Sequence, residues 1–323
     1  MHKASALVLI FVSATSACMA TAAATTEDSP AWAYPVNPPD FKPVVDDGSI
    51  RRVPDSTSGL TLSQVRDPFV APDWHPQAHA PMPAVVANGV KPNAFACGFC
   101  HRAEGTGGPE NASLAGLPVA YIIQQMADYR SGARSTALPD RAPQAFMIRA
   151  AKAVSDEDVR AAALYFSGLK PKPNINVVES DLVPTTYVAG WFLAATVPSG
   201  QEPLGQRIVE MADDLHRFES RDPRVTFTAY VPPGSLNAGR ILVAGQDGNK
   251  TAACATCHGQ NLRGVDAIPS IAGRSPTYVF RQLHEFKRGI RAGASAGLMK
   301  DIVARLDQGD MIAIAAYLAT LKP

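Results

Sequence analysis

The chain has 323 residues, with 30 Lys and Arg against 29 Asp and Glu, a formal net charge of +1. That balance provides none of the basic excess that nucleic-acid binding requires. Hydrophobic residues make up 46%, enough to bury real cores, and the length suggests two domains with extensions. Five cysteines are too few for a disulfide-stapled scaffold. Four of them fall in two tight pairs.

In chain order, residues 1–24 open with His2 and Lys3, continue through an apolar run from Ala6 to Val12, and end in Ala22-Ala23-Ala24. This is the outline of a secretory signal peptide. The run is short of the roughly 20 residues that a membrane span needs. Cys18 lies inside this segment. A lipid-accepting role for it is the alternative to its leaving with the signal, although Thr15 stands where such signals usually carry Leu. Export predicts a periplasmic protein. No later run is long enough to span a bilayer, the best being Tyr187 to Val197, interrupted by Gly190.

Residues 25–80 carry nine prolines, from Pro30 to Pro76. Proline lacks an N–H and restricts its predecessor, so an extended arm is expected here rather than helix. Trp32, Tyr34, Phe41, Phe69 and Trp74 are costly to leave in water, so the arm should pack along a domain or cross a partner.

A repeat follows. Cys97-Gly98-Phe99-Cys100-His101 returns 157 residues later as Cys254-Ala255-Thr256-Cys257-His258. At the same offset Tyr121 maps to Tyr278, Gln125 to Gln282, Gly132 to Gly289 and Arg134 to Arg291. The offset then falls to 152, with Tyr165 on Tyr317 and Lys170-Pro171 on Lys322-Pro323. One unit is therefore used twice, over residues 81–171 and 233–323. Each copy reads as helical. Ala120 to Arg130 and Val279 to Phe286 place apolar residues on one helical face. Ser155 and Asp307 stand at the starts of the last helices, where acidic residues suit the helix dipole. Residues 172–232 read as a long linker with a short helical stretch near Gln206 to Asp214, wrapping one or both domains.

Cys-x-x-Cys-His is the attachment signature of c-type haem: two thiols form thioethers, and the adjacent His lies under the iron. A redox dithiol or a zinc site built from both pairs is the alternative. The trailing His in each copy, the separation of the pairs and the export signal favour haem. The reading is two covalently attached haems, held by Cys97, Cys100, Cys254 and Cys257, with His101 and His258 as proximal ligands. A Met thioether commonly takes the sixth iron position. Met147 and Met299 are the Met pair at equivalent places, 46 and 41 residues after their histidines. Met126 and Met311 read as core filler. His284 reads as solvated, and His75, His79 and His216 have no counterpart between the copies.

The run Cys-x-x-Cys-His, then Ile268-Pro269-Ser270-Ile271-Ala272-Gly273-Arg274, then Tyr278-x-x-x-Gln282-Leu283, then Met299, then Ala315-Ala316-Tyr317 resembles the class I cytochrome c domain. The tandem arrangement is similar to the dihaem cytochrome c4 and c553-like group. The resemblance covers residues 81–171 and 233–323. It implies an all-α fold of two tandem domains, with the Pro-rich arm and the long linker added. It also implies that a proline carbonyl accepts a hydrogen bond from the proximal imidazole. Pro269 matches that position, whereas the first copy has Ala112 there. With both irons six-coordinate, the expected function is single-electron transport rather than catalysis. The expected partners are a dehydrogenase or quinol-oxidising complex on one side and an oxidase or another cytochrome on the other; a place as the fixed cytochrome subunit of such a dehydrogenase is the variant of this reading. The alternative is a catalytic dihaem protein such as a peroxidase, with one open iron.

Overall fold

The computed structural model describes residues 29–323 apart from 140 and 249. The signal segment and Cys18 lie outside the described residues. Residues 29–80 run as extended chain with one short α-helix, α1 (Leu62–Arg66), and a single 3-10 turn at Pro76–Ala78. That helix departs from the non-helical expectation. Thr61 and Gln64 form a reciprocal cap over a stretch free of proline.

The first copy contains α2 (Ala84–Ala87), α3 (Cys97–His101), α4 (Val119–Ser131), α5 (Ala142–Ala153) and α6 (Asp156–Gly168). Ser155 caps α6 by accepting from the Asp158 amide. Its core gathers Val86, Leu117, Ile122, Val159, Ala163 and Phe166.

Residues 172–232 overturn the all-α expectation. They carry seven strands: β1 (Ile175–Glu179), β2 (Leu182–Pro184), β3 (Thr186–Ala189), β4 (Phe192–Ala195), β5 (Gln201–Pro203), β6 (Val209–Ala212) and β7 (Phe227–Val231). β7 lies between β1, to which it is parallel, and β6, to which it is antiparallel. β2 pairs with β5, and β3 with β4. The helical stretch expected near 206–214 is instead β6. The helix begins just beyond it, as α7 (Leu215–Glu219), where the Asp214 side chain caps the Arg217 amide. The physical reason is visible in β7, where Phe227, Ala229 and Val231 are buried in alternation.

The second copy contains α8 (Ser235–Val243), α9 (Ala255–His258), α10 (Pro276–Lys287), α11 (Ala296–Val303) and α12 (Gln308–Thr320). α8 packs closely across α12. A Cβ added at Gly239 would lie 2.0 Å from the Ala313 carbonyl oxygen, so only glycine allows this approach. The core of this copy also takes in Tyr34 from the arm, Ala137 from the first copy, and Ile208 and Val231 from the insertion. The four segments thus share buried surface. Among the described residues, no helix is long and apolar enough to cross a membrane.

The copies meet around a pseudo-twofold axis. Arg134 and Arg291, equivalent in the repeat, face each other in a backbone bridge. Arg134 donates to Gln125 Oε1 and to Gln282 Oε1, both at 2.8 Å. Arg291 donates to the same two oxygens at 2.8 and 3.1 Å, and to the Tyr121 hydroxyl at 2.8 Å. Each arginine therefore holds one glutamine of its own copy and one of the other.

Candidate functional site

In both copies the histidine closes a short helix and its ring is fixed by a backbone carbonyl. His101 Nδ1 lies 2.8 Å from the Ala112 carbonyl oxygen, and His258 Nδ1 lies 2.8 Å from that of Pro269. Nδ1–H donates in each case, which leaves Nε2 as the free lone pair. Ala112 thus does for the first copy what Pro269 does for the second. The acceptor is main chain, so replacing proline by alanine keeps it. Burial holds both imidazoles below the usual histidine range, which favours the neutral, ligating form.

The thiols of Cys97 and Cys100 lie one helical turn apart on α3, and those of Cys254 and Cys257 are spaced alike. All four are unpaired. Burial pushes the Cys97 thiol up to about 12 and the Cys254 thiol up to about 11. No cluster of three or more metal-ligating side chains occurs among the described residues, and zinc coordination by both pairs would need such a cluster.

His101 opens onto a cavity lined by Leu117, Ile122, Met126 and Met147 among others, an apolar set with a thioether on the same cavity as the imidazole. Met147 is carried on α5 and Met299 on α11. Both therefore sit within helices. Met126 shares the cavity with Met147. Its equivalent in the second copy is Leu283, which cannot ligate a metal. Met299 packs against the core that also holds Cys254 and Ala255. The donor set fits a haem in each copy: two thiols for the thioethers, an oriented imidazole and a thioether.

The cavity is also lined by Tyr121, Gln125 and Arg134 of the first copy and by Tyr278, Arg281 and Gln282 of the second. All but Arg281 were legible as repeat identities, though not as parts of one wall. Arg281 donates to the Ala33 and Pro109 carbonyls at 3.0 and 2.6 Å. Arg141, also in the wall, is brought down to about 9 by burial and by Arg281. Beneath them Glu285 is fully enclosed and accepts from Gln144 Nε2 at 2.8 Å. Burial pushes its carboxyl up.

The remaining histidines stand apart from this cavity. His284 is buried, with its Nδ1 3.0 Å from the Tyr34 hydroxyl, against the expectation of a solvated position. It is enclosed because the arm lies over α10. His75 is buried 3.8 Å from Asp222, His79 lies 3.2 Å from Asp73, and His216 is exposed.

The sequence model of the cytochrome c family matches residues 243–322. A thiosulfate dehydrogenase electron acceptor of Thiomonas intermedia is 28% identical, over 71% of this chain and 79% of that protein. Cytochrome c4 of Azotobacter vinelandii is 30% identical, over 40% of this chain and 67% of that protein. The solved thiosulfate dehydrogenase of Marichromatium purpuratum is 26% identical at a TM-score of 0.48, over 71% of this chain. This chain spans only 37% of that structure's length. With the repeated Cys-x-x-Cys-His helices and their anchored imidazoles, the family-model match and the likeness to cytochrome c4 make the chain a member of the cytochrome c family, whose members bind haem c covalently.

Proposed function

We propose that this chain is an exported dihaem electron carrier that passes single electrons between redox proteins of the periplasm. Each unit, 81–171 and 233–323, carries one haem c. Cys97 and Cys100 tether the first and Cys254 and Cys257 the second. His101 with Met147, and His258 with Met299, would hold the two irons. The observation that carries this reading is the twin anchor: each imidazole is oriented by a carbonyl at the same distance, with Nε2 left for iron. When bound, haem c supplies a one-electron couple, and axial Met raises its potential.

The chain's own residues do the rest. The carbonyls of Ala112 and Pro269 fix ring orientation and tautomer. The sulfurs of Met147 and Met299 would take the remaining iron positions, which would leave neither iron open to a substrate. The buried cations that line the cavity, Arg134 and Arg281, suit the carboxylates of a porphyrin edge. The Arg134 and Arg291 network ties the two units at the wall of the first cavity. The likeness to a protein named as the electron acceptor of a thiosulfate dehydrogenase supports a dehydrogenase as donor. The acceptor is then an oxidase or another cytochrome. The first test is the optical spectrum of the oxidised holoprotein, with a haem count per chain. Two haems and a far-red Met–iron band of two-ligand intensity are expected. Carbon monoxide binding by the reduced protein, or a high-spin component, would instead favour a catalytic haem.

A further inference from the structure

The two copies present their haem-attachment loops very differently to the surroundings. In the first copy the loop is covered by the chain itself. The Pro68 carbonyl of the arm accepts from the Ala96 amide at 2.9 Å. The insertion's Arg221 donates to the Phe99 carbonyl at 2.9 Å, with its guanidinium 3.5 Å from the Phe99 ring centre. Arg224 pairs with Glu104 at 3.2 Å. Trp74 Nε1 donates to the Ser220 carbonyl at 2.7 Å, which locks the two covers together.

Position by position, Phe99, Ala103, Glu104, Gly108, Pro109 and Glu110 are buried. Their repeat equivalents Thr256, Gln260, Asn261, Val265, Asp266 and Ala267 are all exposed. The residue types agree with this contrast. A Cβ at Gly98 would lie 2.8 Å from Ala71 Cβ, and one at Gly108 would lie 3.1 Å from the Phe218 ring. The open copy has Ala255 and Val265 at these places. Val265 is 48% exposed and Ile268 37%, and Leu298, next to Met299, is 76% exposed. The charges on the open loop are one Arg263 and one Asp266.

Resting on the carrier reading above, we infer that the loop over His258, and not its counterpart over His101, is the port where a partner redox protein exchanges electrons. The occupant presents an apolar, nearly neutral face. The covered copy shows that this loop surface supports close protein contact. The open copy offers it bare, with apolar side chains and no net charge to select an acidic or basic partner. A small apolar contact of this kind suits the weak, transient encounters of electron transfer. One electron leaves the partner's centre, which is oxidised by one, and the site at His258 is reduced by one. No bond forms or breaks. The first copy is then reached from inside, across the Arg134 and Arg291 interface.

The test uses the holoprotein with azurin, a blue-copper protein whose copper lies under an apolar surface. A photo-crosslinking residue, p-benzoylphenylalanine, is placed at Val265 in one variant and at Arg221 in another. Crosslinks to azurin are expected from 265 and not from 221. In stopped flow, Val265→Glu should slow electron exchange with azurin at least fivefold, while Arg221→Ala should not slow it. The wild-type rate should change less than twofold between 20 and 500 mM salt. Crosslinking from 221, equal crosslinking from both, or crosslinks from 265 only to a second copy of this chain would overturn the port. Fewer than two haems per chain would fail the carrier reading itself. Two haems with crosslinks from 221 would fail the port alone.

Discussion

Replacing Arg291 by Ala probes the pseudo-twofold interface, and the double change with Arg134→Ala tests its logic. Arg291 makes three hydrogen bonds and lies 4.3 Å from the Phe286 ring centre. Bonds to a charged group are worth about 1.5–3 kcal/mol each, but burying the cation offsets much of this. After Arg291→Ala, Arg134 still satisfies both glutamine oxygens, and only the Tyr121 hydroxyl loses its partner. The single change should therefore cost about 2–4 kcal/mol. The double change removes the last donor from Gln125 and Gln282. It should exceed the sum of the singles by about 1–3 kcal/mol. Mutual repulsion of the two guanidiniums adds in the same direction, because the first deletion relieves it and the second cannot. Urea unfolding of the holoproteins, followed by far-UV circular dichroism, yields all four stabilities. A double variant that costs the sum of the singles, or less, would refute the shared-acceptor reasoning.

Three further outcomes are expected. Gly239→Ala should lower the urea midpoint, by about 1–3 kcal/mol of stability, because α8 and α12 must separate to admit the methyl group and helix propensity returns only about 1 kcal/mol; an unchanged midpoint would contradict the close approach. Met299→Leu should halve the far-red band of the ferric protein while the haem count stays at two, measured by the pyridine haemochrome; an undiminished band would remove Met299 from the ligand set. Burial holds the His75 imidazole below its ordinary value of 6.5, so the unfolded chain binds the extra proton between the two values. The stability contributed by neutral His75 is full above about pH 6.5 and is lost as the pH falls toward the folded value, at up to about 1.4 kcal/mol per pH unit. Denaturation across pH 5–8 should show this loss, and His75→Gln should flatten it.

The attachment helices, the histidines and the helices α4 and α10 were legible because the chemistry and the 3.6-residue period are local. The Met positions were legible by repeat equivalence, although their helices were not, since α5 and α11 start without a clear capping side chain. The insertion was illegible for a different reason. Its strands are three to five residues long, and β1 pairs with β7, register Ile175 to Phe227, across the whole intervening segment. Nothing in a short window records such a partner. Ala112 stood out as the repeat equivalent of Pro269, but that its carbonyl meets the His101 ring depends on the path of the loop, which no residue type records. The burial of His284 depends on Tyr34, 250 residues away, so no reading of α10 alone could find it.

The bridge between Arg134 and Arg291 has a bearing on ancestry. A contact in which equivalent residues face each other is the geometry of a self-paired dimer. A single unit bearing this arginine and glutamine could have associated with its own copy before the two were joined into one chain. In such a dimer every substitution falls on both halves at once. Joining them lifted that constraint, and the halves show it: Phe99 against Thr256, Ala112 against Pro269, and Gly108 against Val265. The shared axis stayed symmetric while the outer faces were free to specialise.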